Sequence, residues 1–430
     1  MVSTTTATIQ AVWRIESARL IAALARVVKD VGVAEELAQD AFVAALEQWP
    51  TDGVPDRPGA WLMATAQHRA IDRLRRGPML HRSHTQIAAE ARLLVSEDVE
   101  ARFDAVIDRI GGDAIGDDLL RLMFVSCHPV LSTEARLALT LRLVGGLSVD
   151  EIARAFLLTE AAVAQRIVRA KRTLAAQRVP FEVPPKAQWP ERVSSVLEVI
   201  YLIFNEGYSA TRGDDWMRPG LCDDALRLAR ILAALMPHEP EAQGLAALLE
   251  IQASRSAARV GPGGEPVLLL EQNRSRWNLV FIRRGLAALA RAEALATIGA
   301  APAGPGPYTL QAAIAACHAR ASTAALTDWL RIAALYERLV AITGSPVVEL
   351  NRAVAVAMAF GPAAGLVLVD ALVADGALAN YHLLPSVRGD LLARLGRHDE
   401  ACAEFTAAAA LTGNAREQAM LTARATACGR

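Results

Sequence analysis

Cysteine is scarce in this chain, and what there is of it is scattered. Five residues (Cys127, Cys222, Cys317, Cys402 and Cys428) are spread over 430 positions with no C-x-x-C pair. That excludes a disulfide framework, fits a reducing cytoplasm, and leaves no paired-cysteine metal site. Cys127-His128 offers two adjacent ligands without partners at metal spacing, so a core pair is the expectation there. Aromatics are also few, at 5%, beside 53% hydrophobic residues dominated by Ala and Leu. This is a helical composition. Charge of either sign is in no excess: 45 basic against 46 acidic residues leave a net charge of −1. Nucleic-acid contact through a global basic field is thereby excluded, and any such contact must come from local patches. No long hydrophobic run is present. Ala353–Val369 falls short of the ~20 residues of a membrane span and is broken by Gly361-Pro362, so two buried helices are expected. The start, MVSTTTATIQ, lacks the basic and apolar segments of a signal peptide. Nucleophile motifs, phosphate loops and metal spacings are missing too, so neither an enzyme nor a cofactor is expected.

Two segments carry positive information. In Leu147–Leu174 (LSVDEIARAFLLTEAAVAQRIVRAKRTL), Ser148 and Glu151 have the spacing of a capping box before the apolar Ile152, Ala153 and Phe156. Leu157 and Leu158 fill a bend, and Thr159-Glu160 open a second helix. On that helix Ala162, Val163, Ile167, Ala170 and Leu174 form an apolar stripe at helical spacing. Gln165, Arg166, Arg169, Lys171 and Arg172 fall mostly on the other side. A helix with an apolar back and long donors in front is what major-groove reading requires. The same pattern also suits a helical hairpin with a solvated basic face.

The second segment, Gly59–Arg76 (GAWLMATAQHRAIDRLRR), places Trp61, Leu62, Ala66, Ala70, Ile71 and Leu74 on an apolar face. Its basic groups are Arg69, Arg73, Arg75 and Arg76, offset only by Asp72. Cations for phosphates and a ring for unpaired bases suit a melted strand, although a core helix with solvated arginines would look similar. Upstream, Ala34–Trp49 reads as an amphipathic helix with Glu35, Glu36, Gln39 and Asp40 on its polar face.

On these residues the chain resembles bacterial RNA polymerase sigma factors of the extracytoplasmic-function (ECF) type. The resemblance implies that AEELAQDAF docks on the polymerase clamp, through Glu35, Glu36, Gln39 and Asp40. It implies that AWLMATAQHRAIDRLRR melts and holds the minus-ten strand, through Trp61, His68, Arg69, Arg73, Arg75 and Arg76, with a flipped base in the loop Pro50–Gly59. It implies that Gln165, Arg166 and Arg169 face the minus-35 groove, with Lys171 and Arg172 on phosphate. His68 stands where the family usually has asparagine. Ala161 and Ala164 stand where the reading helix more often has a glycine and a basic residue, so the promoter sequence does not carry over.

The expected architecture is all-α. Residues 10–78 form the clamp-binding and minus-ten domain, and 79–130 an acidic linker that includes Glu97, Asp98, Glu100, Asp104, Asp108 and Asp118. By resemblance this linker threads the polymerase channel. Residues 131–178 form the helix-turn-helix domain. After the proline-rich Val179–Pro190, residues 190–430 form a helical extension that resembles the long tail of one ECF subgroup. Within it, LGRHDEA at Leu395–Ala401 is close to a tetratricopeptide helix pair, and Gly361-Pro362 lies near one ~34-residue repeat upstream. Two polar clusters stand out in this apolar tail: Asn205, Glu206 and Tyr208, and Glu271, Asn273, Arg274, Arg276 and Trp277. They could form a ligand site, though capping and inter-helix contacts are the expectation. The implied partners are core RNA polymerase and promoter DNA, without a membrane, and a protein or small molecule is a possible partner of the extension. A helical-repeat adaptor and a polymerase-independent DNA-binding regulator are the alternatives. Purification separates them, since only a sigma factor brings core polymerase with it.

Overall fold

The computed structural model describes residues 4–76, 114–298 and 304–428, and they are almost entirely helical. The chain divides into two compact units, residues 1–199 and 200–430.

The N-terminal unit opens with three helices, α1 (Thr4–Val28), α2 (Val31–Asp52) and α3 (Pro58–Arg76). Asp30 caps α2 by accepting hydrogen bonds from the Gly32 and Val33 amides. Alanines 34, 38, 41, 44 and 45 and Leu37 give α2 a small-residue face against α1. Pro50 sits inside the last turn of α2, so the connection to α3 is only residues 53–57, shorter than the loop expected from Pro50 to Gly59.

Helix α4 (Ala114–Ser126) occupies ground that the sequence assigns to a linker. Acid content hid it. Asp118 is buried and held by Arg121 at 2.5 Å and Arg26 at 3.4 Å, while Leu119, Leu120, Leu122, Met123, Phe124 and Val125 enter the core. The remaining linker acids, Glu97 to Asp113, lie outside the described residues.

Helices α5 (Thr133–Leu143), α6 (Val149–Phe156) and α7 (Glu160–Ala176) complete the unit together with the first half of α8 (Trp189–Tyr208). Arg192 of α8 donates to the Phe124 carbonyl at 2.8 Å, Ser195 donates to the Cys127 carbonyl at 2.5 Å, and Arg136 pairs with Glu198 at 3.1 Å. The helix that begins at the expected boundary near residue 190 is continuous, and its N-terminal half belongs to the N-terminal unit. Cys127 is buried beside the Thr140 hydroxyl at 3.2 Å, and burial pushes its thiol up to about 11 despite that hydrogen bond. It is a core residue.

The C-terminal unit runs from the end of α8 through α9 (Pro219–Leu235), α10 (Pro240–Ala253), α11 (Leu279–Ile298), α12 (Pro307–Arg320), α13 (Trp329–Thr343) and α14 (Pro346–Phe360). Four more helices follow: α15 (Pro362–Asp375), α16 (Leu383–Arg394), α17 (His398–Leu411) and α18 (Ala415–Cys428). Sequential neighbours pack as antiparallel pairs in the manner of stacked repeats. Ala353–Val369 is two helices joined at Gly361, whose φ of 99° is readily available only to glycine. At Gly389 a Cβ would meet the Phe405 ring at 2.9 Å, so only glycine lets α16 and α17 approach this closely.

The unit's first and last segments are joined. Residues Arg212–Gly213 pair in parallel with Gly413–Asn414. The buried Asn414 donates to the Ala210 and Asp215 carbonyls at 3.1 and 2.9 Å, and it accepts from the Arg416 and Glu417 amides. Asn414→Ala takes the side-chain donor from the carbonyl of the buried Ala210 and from that of Asp215, and it uncaps α18. We expect it to destabilise this unit by about 2–3 kcal/mol, read as a lower melting midpoint. An unchanged midpoint would show that the closure carries no stability.

Candidate nucleic-acid interface

The helix-turn-helix forms as its sequence dictates. The Ser148 hydroxyl accepts from the Glu151 amide at 3.3 Å, and the Glu151 carboxylate accepts from the Ser148 amide at 2.9 Å. Leu157 ends α6 in the left-handed region at φ 51°, which turns the chain, and Thr159 caps α7 through the Ala162 amide. Val163, Ile167, Ala170 and Leu174 are buried as one stripe. Gln165, Arg169 and Arg172 are exposed and Arg166 is half-buried. Glu151 also receives Arg14 of α1 at 2.5 Å. Burial alone would raise its carboxyl, but hydrogen bonds from Ser148 and Arg14 outweigh it and hold the group below the usual carboxylate range.

Lys171 departs from the expected outward array. It forms an ion pair with Glu35 of α2, and Arg142 of α5 meets the same carboxylate at 2.6 Å. Glu35 is 3% exposed. It is therefore not on a polar surface of α2, as periodicity suggests. A helical wheel assigns a carboxylate to water because it cannot see two cations arriving from other helices. Glu36 and Asp40 are exposed, and Gln39 is half-buried and donates to Glu35 at 2.5 Å. Two residues expected to face different partners, Glu35 and Lys171, thus occupy each other.

On α3, Trp61 is half-buried, edge-on to the buried Trp49 with ring centroids 5.2 Å apart. Leu62, Met63, Ala66 and Ala70 are buried, while His68 and Arg69 are exposed. The helix continues through Arg73, Arg75 and Arg76, whose side chains lie outside the described residues.

In the extension, the two polar clusters separate by role. Glu206 pairs with Arg218 and accepts from Thr211 at 2.9 Å, and Asn273 caps the short turn Arg274–Arg276. Both are structural contacts. Glu271 and Arg276 are exposed. Arg274 donates to the His318 and Ala321 carbonyls and lies over the Trp277 ring, 4.7 Å from its centroid. Burial lowers His318 to about 4, helped by the nearby Arg255 and Arg274. An unfolded histidine titrates near 6.5. Between about pH 6.5 and 4 the unfolded chain binds a proton that the folded chain refuses, so stability falls as pH drops through that window. We expect His318 alone to remove on the order of 3 kcal/mol between pH 7 and pH 4. Urea titrations of the wild type and His318→Gln at pH 7, 5.5 and 4.5 check this, and parallel pH slopes would contradict it.

The comparisons with known proteins fall on the same segments. Residues 14–77 match the family described as Sigma-70 region 2, and residues 121–174 match Sigma-70, region 4. Residues 192–293, within the extension, match a family of unknown function. The chain is 44% identical over 399 residues to an uncharacterised protein of Rhizobium meliloti (strain 1021), covering 93% of this chain and 90% of that one. It is 29% identical over 140 residues to the ECF RNA polymerase sigma factor SigK of Mycobacterium ulcerans (strain Agy99), covering 32% of this chain and 67% of that one. The chain belongs to the sigma-70 family of transcription factors. Within it, the chain is an extracytoplasmic-function sigma factor with a long helical C-terminal extension. Among the described residues no helix is long and apolar enough to cross a membrane.

Proposed function

We propose that this sigma factor binds core RNA polymerase and directs it to promoters, holding the melted minus-ten strand on α3 and reading the minus-35 element with α7, and that its extension acts on this core in cis. The observation that carries the reading is the order of a region 2 match and a region 4 match, the latter built on a capped helix-turn-helix with exposed donors over a buried stripe. The exposed Glu36 and Asp40 and the half-buried Gln39 are the polymerase-facing residues, and Glu35 joins them when released.

Release is required by distance. The two promoter elements lie about 25 base pairs apart, which is roughly 85 Å at ~3.4 Å per pair. In the N-terminal unit α3 packs on α2, and α7 is tied to α2 through Lys171 and Glu35. Two helix-packing steps span on the order of 20 Å. The arrangement is a closed resting state, and promoter engagement breaks the Glu35 contacts with Lys171 and Arg142.

Arg166 and Arg169 are assigned to the minus-35 groove. Alanine at Arg166 should cost about 1–3 kcal/mol if its contact is bidentate to a base. Promoter activity of Arg166→Ala and Arg169→Ala, with the fold checked by circular dichroism, tests this. Full activity in both variants would remove the assignment.

A further inference from the structure

The extension holds a cavity of about 260 Å³ between α8, α10, α12, α13 and α14. An apolar cavity of about 150 Å³ already admits a benzene ring, so this one has room for a ring or short alkyl chain with a polar head. Its walls are divided. Leu248, Leu249, Ile314, Leu339 and Val347 supply an apolar side. Arg255, Gln252 and His318 supply a polar side on which each leaves a buried atom without a hydrogen bond. Arg255 and His318 are each 7% exposed. The Nε of Arg255, the Nδ1 of His318 and the Oε1 of Gln252 are all buried without a hydrogen-bond partner.

Arg255 is the decisive group. A buried guanidinium without a partner is costly, and proteins pair such groups with carboxylates or phosphates. Arg255 makes no ion pair or side-chain hydrogen bond among the described residues. The rings of Tyr208 and Trp277 lie 5.9 and 5.8 Å from its guanidinium. The neighbouring arginines are already spent: Arg259 lies over the Tyr208 ring and donates to the Tyr208 carbonyl at 2.8 Å, while Arg274 is bound to backbone carbonyls. These two add positive charge without needing a ligand. Arg255 is left as one uncommitted cation facing an otherwise neutral, half-apolar space.

We propose that this cavity is a binding site for a small organic monocarboxylate, its carboxylate held by Arg255 and its ring or short chain lodged against Leu248, Ile314 and Leu339. One free guanidinium matches one carboxylate in bidentate geometry. The apolar wall argues for an organic body in place of inorganic phosphate. His318 and Gln252 then meet a second polar group on the ligand or an accompanying water.

The test uses the full chain and isothermal titration calorimetry with benzoate, phenylacetate, indole-3-acetate and hexanoate as probes. Inorganic phosphate and the matching amides serve as controls. At least one carboxylate should bind at one per chain, with its amide at least about tenfold weaker. Arg255→Gln should weaken that carboxylate by about tenfold or more. Should Arg255→Gln fail to fold, Ala315→Met keeps the test open, because it fills the cavity from α12 while retaining Arg255, and it should also abolish binding. Failure of all four carboxylates to bind would overturn the proposal. So would equal binding of acid and amide, tighter binding of phosphate alone, or undiminished binding in Ala315→Met. None of these outcomes bears on promoter recognition by the N-terminal unit.

Discussion

Replacing Arg73, Arg75 and Arg76 together with glutamate should stop promoter melting while leaving core-polymerase binding in place. The three arginines sit on the last turns of α3, beyond the buried Ala66 and Ala70 and the exposed Arg69. Hydrogen bonds to a charged group contribute about 1.5–3 kcal/mol each. Three together match or exceed the few kcal/mol that extruding and unstacking bases costs. Reversal replaces that attraction with repulsion from the same phosphates, so the open complex should fall below detection. Polymerase binding is assigned to α2, through Glu36, Gln39 and Asp40, and should persist. Permanganate footprinting reads the melted bases, and co-purification with core polymerase reads the binding. A normally melted promoter would reduce these arginines to a solvated face.

Removal of the extension should abolish or sharply reduce promoter activity in vivo. The region 2 and region 4 segments already contain what a sigma factor needs to read DNA, yet more than half of the chain lies beyond them. The short segment Val179–Pro190 keeps the extension covalently tethered to the helix-turn-helix, which gives it a high effective concentration there. A completing role in cis is the expected one. The place of the cut matters. Ending the chain at Arg178 would also delete Arg192, Ser195 and Glu198, which hold α4 and α5. A stop after Ser209 keeps those contacts and removes only the extension's own helices. Higher activity in that variant would reveal an inhibitory tail, and unchanged activity would defeat any role in cis.

Much of the N-terminal unit was legible because its signals are local. A capping box needs only Ser148 and Glu151 three residues apart, and both hydrogen bonds formed. The stripe Val163–Ile167–Ala170–Leu174 needs only helical periodicity, and all four residues are buried. What escaped is what depends on distant partners. Asp118 reads as a linker acid until Arg26 and Arg121 neutralise it, and Glu35 reads as a surface acid until Arg142 and Lys171 bury it. The cavity in the extension was illegible for the same reason. Arg255 and His318 stand 63 positions apart, and only the packing of α10 on α12 brings them to one wall. The two polar clusters, one containing Tyr208 and the other Trp277, did mark the neighbourhood, since the two rings lie 5.9 and 5.8 Å from the Arg255 guanidinium.

The most direct test of the proposed function is single-round run-off transcription with purified core RNA polymerase and the full chain on a promoter library. A sigma factor gives discrete transcripts that core polymerase alone does not make, each starting at a fixed distance from shared minus-ten and minus-35 elements. Transcription that stays at the level of core polymerase alone, while the chain by itself shifts duplex DNA, would contradict it.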